Sequence, residues 1–186
     1  MTYYGAKELA EAFRTVRNNT LTIAEEIPED KFSFRASPDT RTVAEMLVHI
    51  ALAPRFPMEV HGTKPLKTFE GYDFMAFFGK LTAEAEKPRN KAQVIALLRE
   101  EGDRAEKFLS GLSDSFLGER VKMMPGMTPE SKTRFEMLLS VKEHEMHHRS
   151  QLMMIERMVG IVPHLTRQME ARMAEMTAAA ATAGKA

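Results

Sequence analysis

Apolar residues recur at steps of three and four along most of this chain, the period of helices that bury one side. Between residues 5 and 27, Leu9, Phe13, Val16, Ile23 and Ile27 share a stripe with Thr20, and Pro28 ends the run. Ser37-Pro38-Asp39-Thr40 reads as a turn, and Thr42-Val43-Ala44-Glu45 has the form of a capping box opening a second helix. That helix extends to about Val60 with Met46, His49, Ala53, Phe56 and Val60 inward, and Pro54 predicts a bend in it. Asn90 caps a third helix ending near Gly111, whose inner side carries Val94, Leu98, Ala105, Phe108 and Leu112. Thr128-Pro129 predicts the start of a fourth and longest helix, with Thr as cap and Pro at the first helical position. Gly160 closes it and Pro163 follows.

The pattern weakens in three places. Residues 61–89 are punctuated by His61, Gly62, Pro65, Gly71, Gly79 and Pro88, yet carry Phe69, Tyr72, Phe74, Phe77 and Phe78. A connection this long either serves as a lid or packs its own aromatics over the end of the bundle. His61, at the start of that connection, is taken as a loop histidine, and residues 113–127 read as a crossing loop. After Pro163 a further helical stretch fades into the Ala-rich segment 178–184, which cannot build a core. No strand and no internal repeat is expected. The prediction is an all-α four-helix bundle over residues 1–163, with a long connection between helices 2 and 3. Residues 164–186 form an extra C-terminal helical segment ending in a flexible tail.

Composition narrows the function classes. The chain has 186 residues, 44% apolar and 28% charged, which suits one globular domain. Lys plus Arg equals Asp plus Glu at 26 each, so no charge excess points to nucleic acid. No apolar run approaches the roughly 20 residues of a membrane span, and the N-terminal sequence has no signal-peptide pattern. A cytoplasmic protein is therefore expected. Cysteine is absent, which removes disulfides, thiolate metal sites and a Cys nucleophile. Fifteen Met and no Trp give a soft apolar interior, fit for packing or for lining a pocket.

The chemistry lies in Glu143-His144-Glu145-Met146-His147-His148-Arg149-Ser150-Gln151-Leu152. At about 100° per residue, Met137, Val141, His144, His148, Leu152, Ile155 and Val159 form one inward stripe. Two imidazoles four residues apart thus enter the core together, and each needs a hydrogen bond or a metal there. His49 on the second helix is a third inward histidine. Together they offer the ligand count of a catalytic-type site with an open position, although core histidines bonded to backbone are the alternative. Imidazole suits Zn, Ni, Cu or Fe(II) alike. Protons should displace such a metal as pH falls toward about 6.5. His147 points away from this set. Glu45 could orient His49 but reads better as a cap; Glu101 interrupts an apolar stripe, either as a pocket acid or as a residue reaching water. Glu145 and Arg149 are further candidates for roles around the site.

His49, the run Thr42-Val43-Ala44-Glu45-Met46-Leu47-Val48-His49-Ile50, the spacing His144-x-x-x-His148-Arg149-x-Gln151-Leu152 and the trailing Gly160-x-x-Pro163 resemble the DinB/YfiT-like family over roughly residues 5–163. The resemblance implies a four-helix bundle with His49, His144 and His148 as ligands of a divalent metal, zinc or nickel, often in a homodimer. Related branches include thiol-dependent S-transferases and maleylpyruvate isomerases. It points to a metal-dependent transferase or hydrolase acting on a small-molecule substrate through an activated thiol or water. The alternative is a metal-stabilised or ligand-binding bundle without turnover. Ser150 departs from the family, which commonly has Gly there. His144-Glu145-Met146-His147-His148 also satisfies H-E-x-x-H, but Gln151 and Met154 stand where metzincins need Gly and His. A ferritin-like di-iron site is disfavoured too, since Glu145-x-x-His148 is only one of its two Glu-x-x-His motifs. Finally, Phe135, Leu139, Met146 and Met153 give the long helix a second apolar side, which suggests a two-fold dimer.

Overall fold

In the computed structural model, which describes residues 4–183, the chain folds as the helical period dictates. Helix α1 (Ala6–Glu26) buries Leu9, Phe13, Val16, Thr20 and Ile23 along the expected stripe. Helix α2 (Val43–Leu52) starts at Thr42, whose side chain accepts from the Glu45 amide while the Glu45 carboxylate accepts from the Thr42 amide at 2.7 Å. Pro54 has no amide hydrogen to continue the ladder, so the predicted bend is a break, and α3 (Arg55–His61) follows.

The 61–89 connection holds α4 (Phe74–Ala85), capped by Asp73. Asn90 caps α5 (Lys91–Ser110) in another capping box. The segment read as a crossing loop contains a short α6 (Asp114–Gly118) and an unexpected strand, β1 (Arg120–Lys122), paired antiparallel with β2 (Ser131–Thr133). This hairpin corrects the fourth helix. Helix α7 (Arg134–Met158) begins at Thr133, not at Thr128-Pro129. Thr133 and Glu136 satisfy each other's backbone donors, and that local chemistry outweighs the Pro signal once residues 131–133 are held by β1. Gly160 ends α7 at φ +86°, a conformation that side chains with a Cβ avoid. Helix α8 (His164–Ala183) keeps the Ala-rich stretch helical as far as it is described, with the chain exposed from Arg167 to Ala181. The end of the tail lies outside the described residues.

Helices α1 and α2 each pack on both α5 and α7, so the sequence neighbours α1 and α2 stand diagonally across the bundle. One apolar cluster joins Ile23 and Ile27 to α2, Val94, Leu98, Leu152 and Ile155. A second fills the other end around Leu9, Phe13, Ala105, Leu109 and Leu138. A small third cluster of Val60, Phe69 and Val121 anchors the aromatic connection. Its backbone is tied to β1 by Phe69 N–H to the Lys122 carbonyl and Lys122 N–H to the Lys67 carbonyl, both 2.9 Å. Among the described residues, no helix is long and apolar enough to cross a membrane.

Candidate metal centre

Break and stripe together place the three histidines. His49 sits in the last turn of α2, just before the chain breaks at Pro54, and His144 and His148 lie one turn apart on α7 where it faces α2. Among the described residues these three form the one group of metal-competent side chains that converges, with a ligand atom from each within 4.8 Å of the others. His49 Nε2 and His144 Nε2 are 3.0 Å apart. At that distance one nitrogen carries a hydrogen and the other accepts it, or both face a shared cation. His148 Nδ1–H donates to Gln151 Oε1 at 2.8 Å, which fixes the tautomer and leaves Nε2 with its lone pair. The Gln151 amide in turn approaches His147 Nε2 at 3.3 Å. His147 is exposed and belongs to this outer chain of contacts. His144 Nδ1 is buried with no partner.

Burial, mutual repulsion and Arg41 keep the rings uncharged. Desolvation is the main cause in each case; it pushes His49 and His144 down to about 4 and lowers His148 as well. Proton competition with a metal is therefore expected below the ordinary value of 6.5. At neutral pH these are unprotonated imidazoles, the form that ligates. Three such donors with converging lone pairs fit a divalent ion.

His49 and His144 form part of the wall of a cavity of about 890 Å³ bounded by α2–α3, α4, the hairpin and α7. Phe56, Val60, Phe78, Leu81, Met124 and Met137 are among the apolar residues that line it. His148 lies behind this wall, 8% exposed.

None of the remaining candidates joins the three imidazoles, although Glu45 and His61 line the same cavity. Glu45 is the cap it was read as. Glu101 is neither a pocket acid nor water-reaching: it is fully buried and accepts from Arg55 at 2.6 Å and from Arg104 at 2.9 Å. His61 is no loop residue. It ends α3, is 2% exposed, and its Nδ1 pairs with Arg134 Nη1 at 2.9 Å. Glu145, the would-be base of a zinc protease, turns to α1 and is held by the Arg17 guanidinium. That orientation removes both the protease and the di-iron readings. Arg149 is half-buried with Nε unpartnered, its pKa lowered chiefly by burial. Gln151 entered the sequence reading only within the family spacing, not as the partner of His148 that a step of three could have flagged, and Arg17, one turn after Phe13 on the apolar side of α1, was missed.

A family model described as the DinB superfamily matches residues 12–152. Among solved structures, YfiT from Bacillus subtilis, described as a probable metal-dependent hydrolase with an unusual four-helix bundle topology, is similar with a TM-score of 0.65 and 17% identity, covering 87% of this chain and 91% of that one. A DinB-like protein from Bacillus cereus gives 0.64 and 15%, covering 87% and 97%. A DinB-like protein from Bacillus subtilis gives 0.61 and 18%, covering 82% and 92%. At such identities the likeness is one of fold. Among curated protein sequences none matches.

Proposed function

The chain belongs to the DinB superfamily, and from that premise we propose that it is a metal-dependent transferase or hydrolase whose His49, His144 and His148 hold a divalent ion at the cavity wall. The observation that carries this reading is the donor set. Three uncharged imidazoles converge and, among the described residues, no carboxylate joins them, so coordination positions are left for a nucleophile. A divalent ion bound there supplies Lewis-acid activation of water or a thiol. Zinc and nickel both suit three imidazoles. The chain's own part is to fix His148 through Gln151, to keep the rings neutral by burial, and to present an apolar wall that excludes bulk water. The thiol branch rests on the family resemblance; the hydrolase branch is supported by the description of YfiT.

A second reading, a metal-stabilised or ligand-binding bundle without turnover, is favoured by His144 Nδ1, which lacks the partner that usually orients a ligating histidine. Elemental analysis of protein purified without chelator or a metal-binding tag should find a stoichiometric divalent ion. Cobalt substitution then separates the readings. A visible spectrum that changes on adding a thiol supports thiol activation, and one inert to thiol but sensitive to pH supports water chemistry. A spectrum inert to both leaves the non-catalytic bundle.

We propose further that two copies associate through the outer side of α7. Phe135 and Leu139 pack partly on the chain's own second cluster and Met153 on its first, whereas Met146, Met154 and Met158 stay 40%, 61% and 52% exposed. Sedimentation should give a dimer that Met146→Glu dissociates; a wild-type monomer at micromolar concentration would end this proposal.

A further inference from the structure

Helix α4 is unusual among the long helices in burying none of its residues. Its apolar side carries Phe74, Phe77, Phe78 and Leu81, and Phe78 is 44% exposed. It is attached through Phe56 of α3, whose ring centroid lies 6.1 Å from Phe74, 5.4 Å from Phe77 and 5.6 Å from Phe78. Phe74, Phe78 and Leu81 also line the cavity. Phe74, Phe78 and Leu81 thus present surface to the cavity as well as to protein, and a ligand there would add contacts of the kind a helix normally takes from a core. The cavity volume falls within the range of about 300–1,000 Å³ typical of small-molecule sites.

Charge at the histidine wall narrows the ligand. Arg41 lines the cavity, and its charge bears on all three histidines. Among the described residues it forms no ion pair of its own. Glu45, the carboxylate on which this charge acts, is taken up by the Thr42 amide and by Arg35 at 3.5 Å, and Glu136 by the Thr133 amide and hydroxyl; Lys132 and Glu86 stand on the wall as well. A guanidinium that, among the described residues, bonds to no carboxylate and stands on the wall of an apolar chamber offers its donors to an anion.

We propose that the cavity binds a small organic carboxylate with a hydrophobic body, its acid group on Arg41 at the wall that carries His49 and His144 and its body against Phe56, Phe78 and Leu81 beneath α4. The orientation names the substrate class for the metal site proposed above and rests on that reading. Binding itself depends only on the cavity and Arg41. The carboxylate places the substrate's polar end next to the ion, and α4 covers the rest.

The test compares 4-phenylbutyrate, 4-phenylbutanol and 4-phenylbutylamine by calorimetry, on protein as purified and after chelation. The acid should bind at least about ten-fold more tightly than the alcohol, as one charge-assisted contact would give, and the amine should bind most weakly. Arg41→Ala should cost the acid that advantage and leave the alcohol unchanged; this side chain is exposed and unpaired, so folding is not at stake. Phe78→Glu should weaken acid and alcohol together. Equal affinity for acid and alcohol in the wild type, an Arg41→Ala effect shared by both, or no binding by any of the three would overturn the proposal. Acid binding that keeps its Arg41 dependence in a protein found to hold no metal would support the carboxylate site while removing the metal reading.

Discussion

Glu145 and His144 are neighbours in sequence and lie in two polar regions of opposite character. The Glu145 carboxylate and the Arg17 guanidinium are fully engaged, with each other and with backbone carbonyls, although Arg149 Nε nearby is not. Arg17 Nε donates to Glu145 at 2.9 Å and 3.1 Å, Nη1 to the Leu98 carbonyl at 2.6 Å, and Nη2 to the Ile50 carbonyl at 3.3 Å and to Glu145 at 2.9 Å. Both side chains are almost wholly buried, at 4% and 2% exposure. Around His144 the reverse holds. The rings are uncharged, Nδ1 has no partner, and two of the three imidazoles face a cavity. A buried polar group whose bonds are complete can position helices but has nothing left to offer a ligand. One with free donor or acceptor capacity and access to space can bind. The H-E-x-x-H spelling interleaves the two kinds, and only their partners tell them apart.

The largest effect expected of breaking this contrast comes from the closed region. Glu145→Ala leaves Arg17 buried without its counter-ion and should cost about 3–5 kcal/mol in denaturant unfolding, while metal content per folded chain stays unchanged. A loss below about 1 kcal/mol would show that the pair is not closed at all.

At the open region the effect should appear in binding. With metal at 100 times its dissociation constant the wild type gains about 2.7 kcal/mol of stability. His49→Ala should lose that gain along with most of the bound ion, whereas His147→Ala, at an exposed position, should keep both. Full metal retention in His49→Ala would remove the triad. His61→Ala is no control here, because His61 is buried against Arg134.

Glu156 lies between the two extremes: it is fully buried and neither carboxylate oxygen has a partner. Burial first, then Glu26 on α1, push its carboxyl up to about 7 against the opposing charges of Arg167 on α8 and Arg157 on α7; His164 of α8 lies close to Glu26 and Arg167 as well. The folded chain thus keeps a proton that the unfolded chain releases above pH 4.5. Stability from this group is complete below that value and is lost as pH rises through about 7. Glu156→Gln should therefore gain on the wild type by about 3 kcal/mol at pH 8 and by little at pH 4, read from unfolding curves at the two values. Equal differences at both would remove the assignment.

The smallest effect concerns close approach. A Cβ on Gly102 would meet Arg17 Cγ at 2.9 Å, so Gly102→Ala should cost about 1 kcal/mol by displacing the stem of Arg17. A double variant with Arg17→Met, compared with each single change, should show non-additive losses if the two share this contact.

Local chemistry was legible before any fold was known. The capping pair Thr42–Glu45, the cap Asn90, an interruption at Pro54 read as a bend and the stripe shared by His144 and His148 are properties of a few consecutive residues. Hydrogen-bond geometry and a period of 3.6 therefore determined them, together with the helical class of the fold. The start of α7 was misread because two valid local signals, Thr128-Pro129 and Thr133-x-x-Glu136, competed, and the pairing of residues 131–133 with β1 chose between them. The partners of buried charges were not legible at all. Glu101 meets Arg55, Glu145 meets Arg17 and His61 meets Arg134 across 46, 128 and 73 residues of chain. Nothing in the spacing of one helix says which side chain the opposite helix will present. The sequence by itself determined where helices begin and which side each buries; the tertiary structure alone decided which polar groups were neutralised inside and which were left open to a cavity, because a charge is satisfied by whatever folding brings against it.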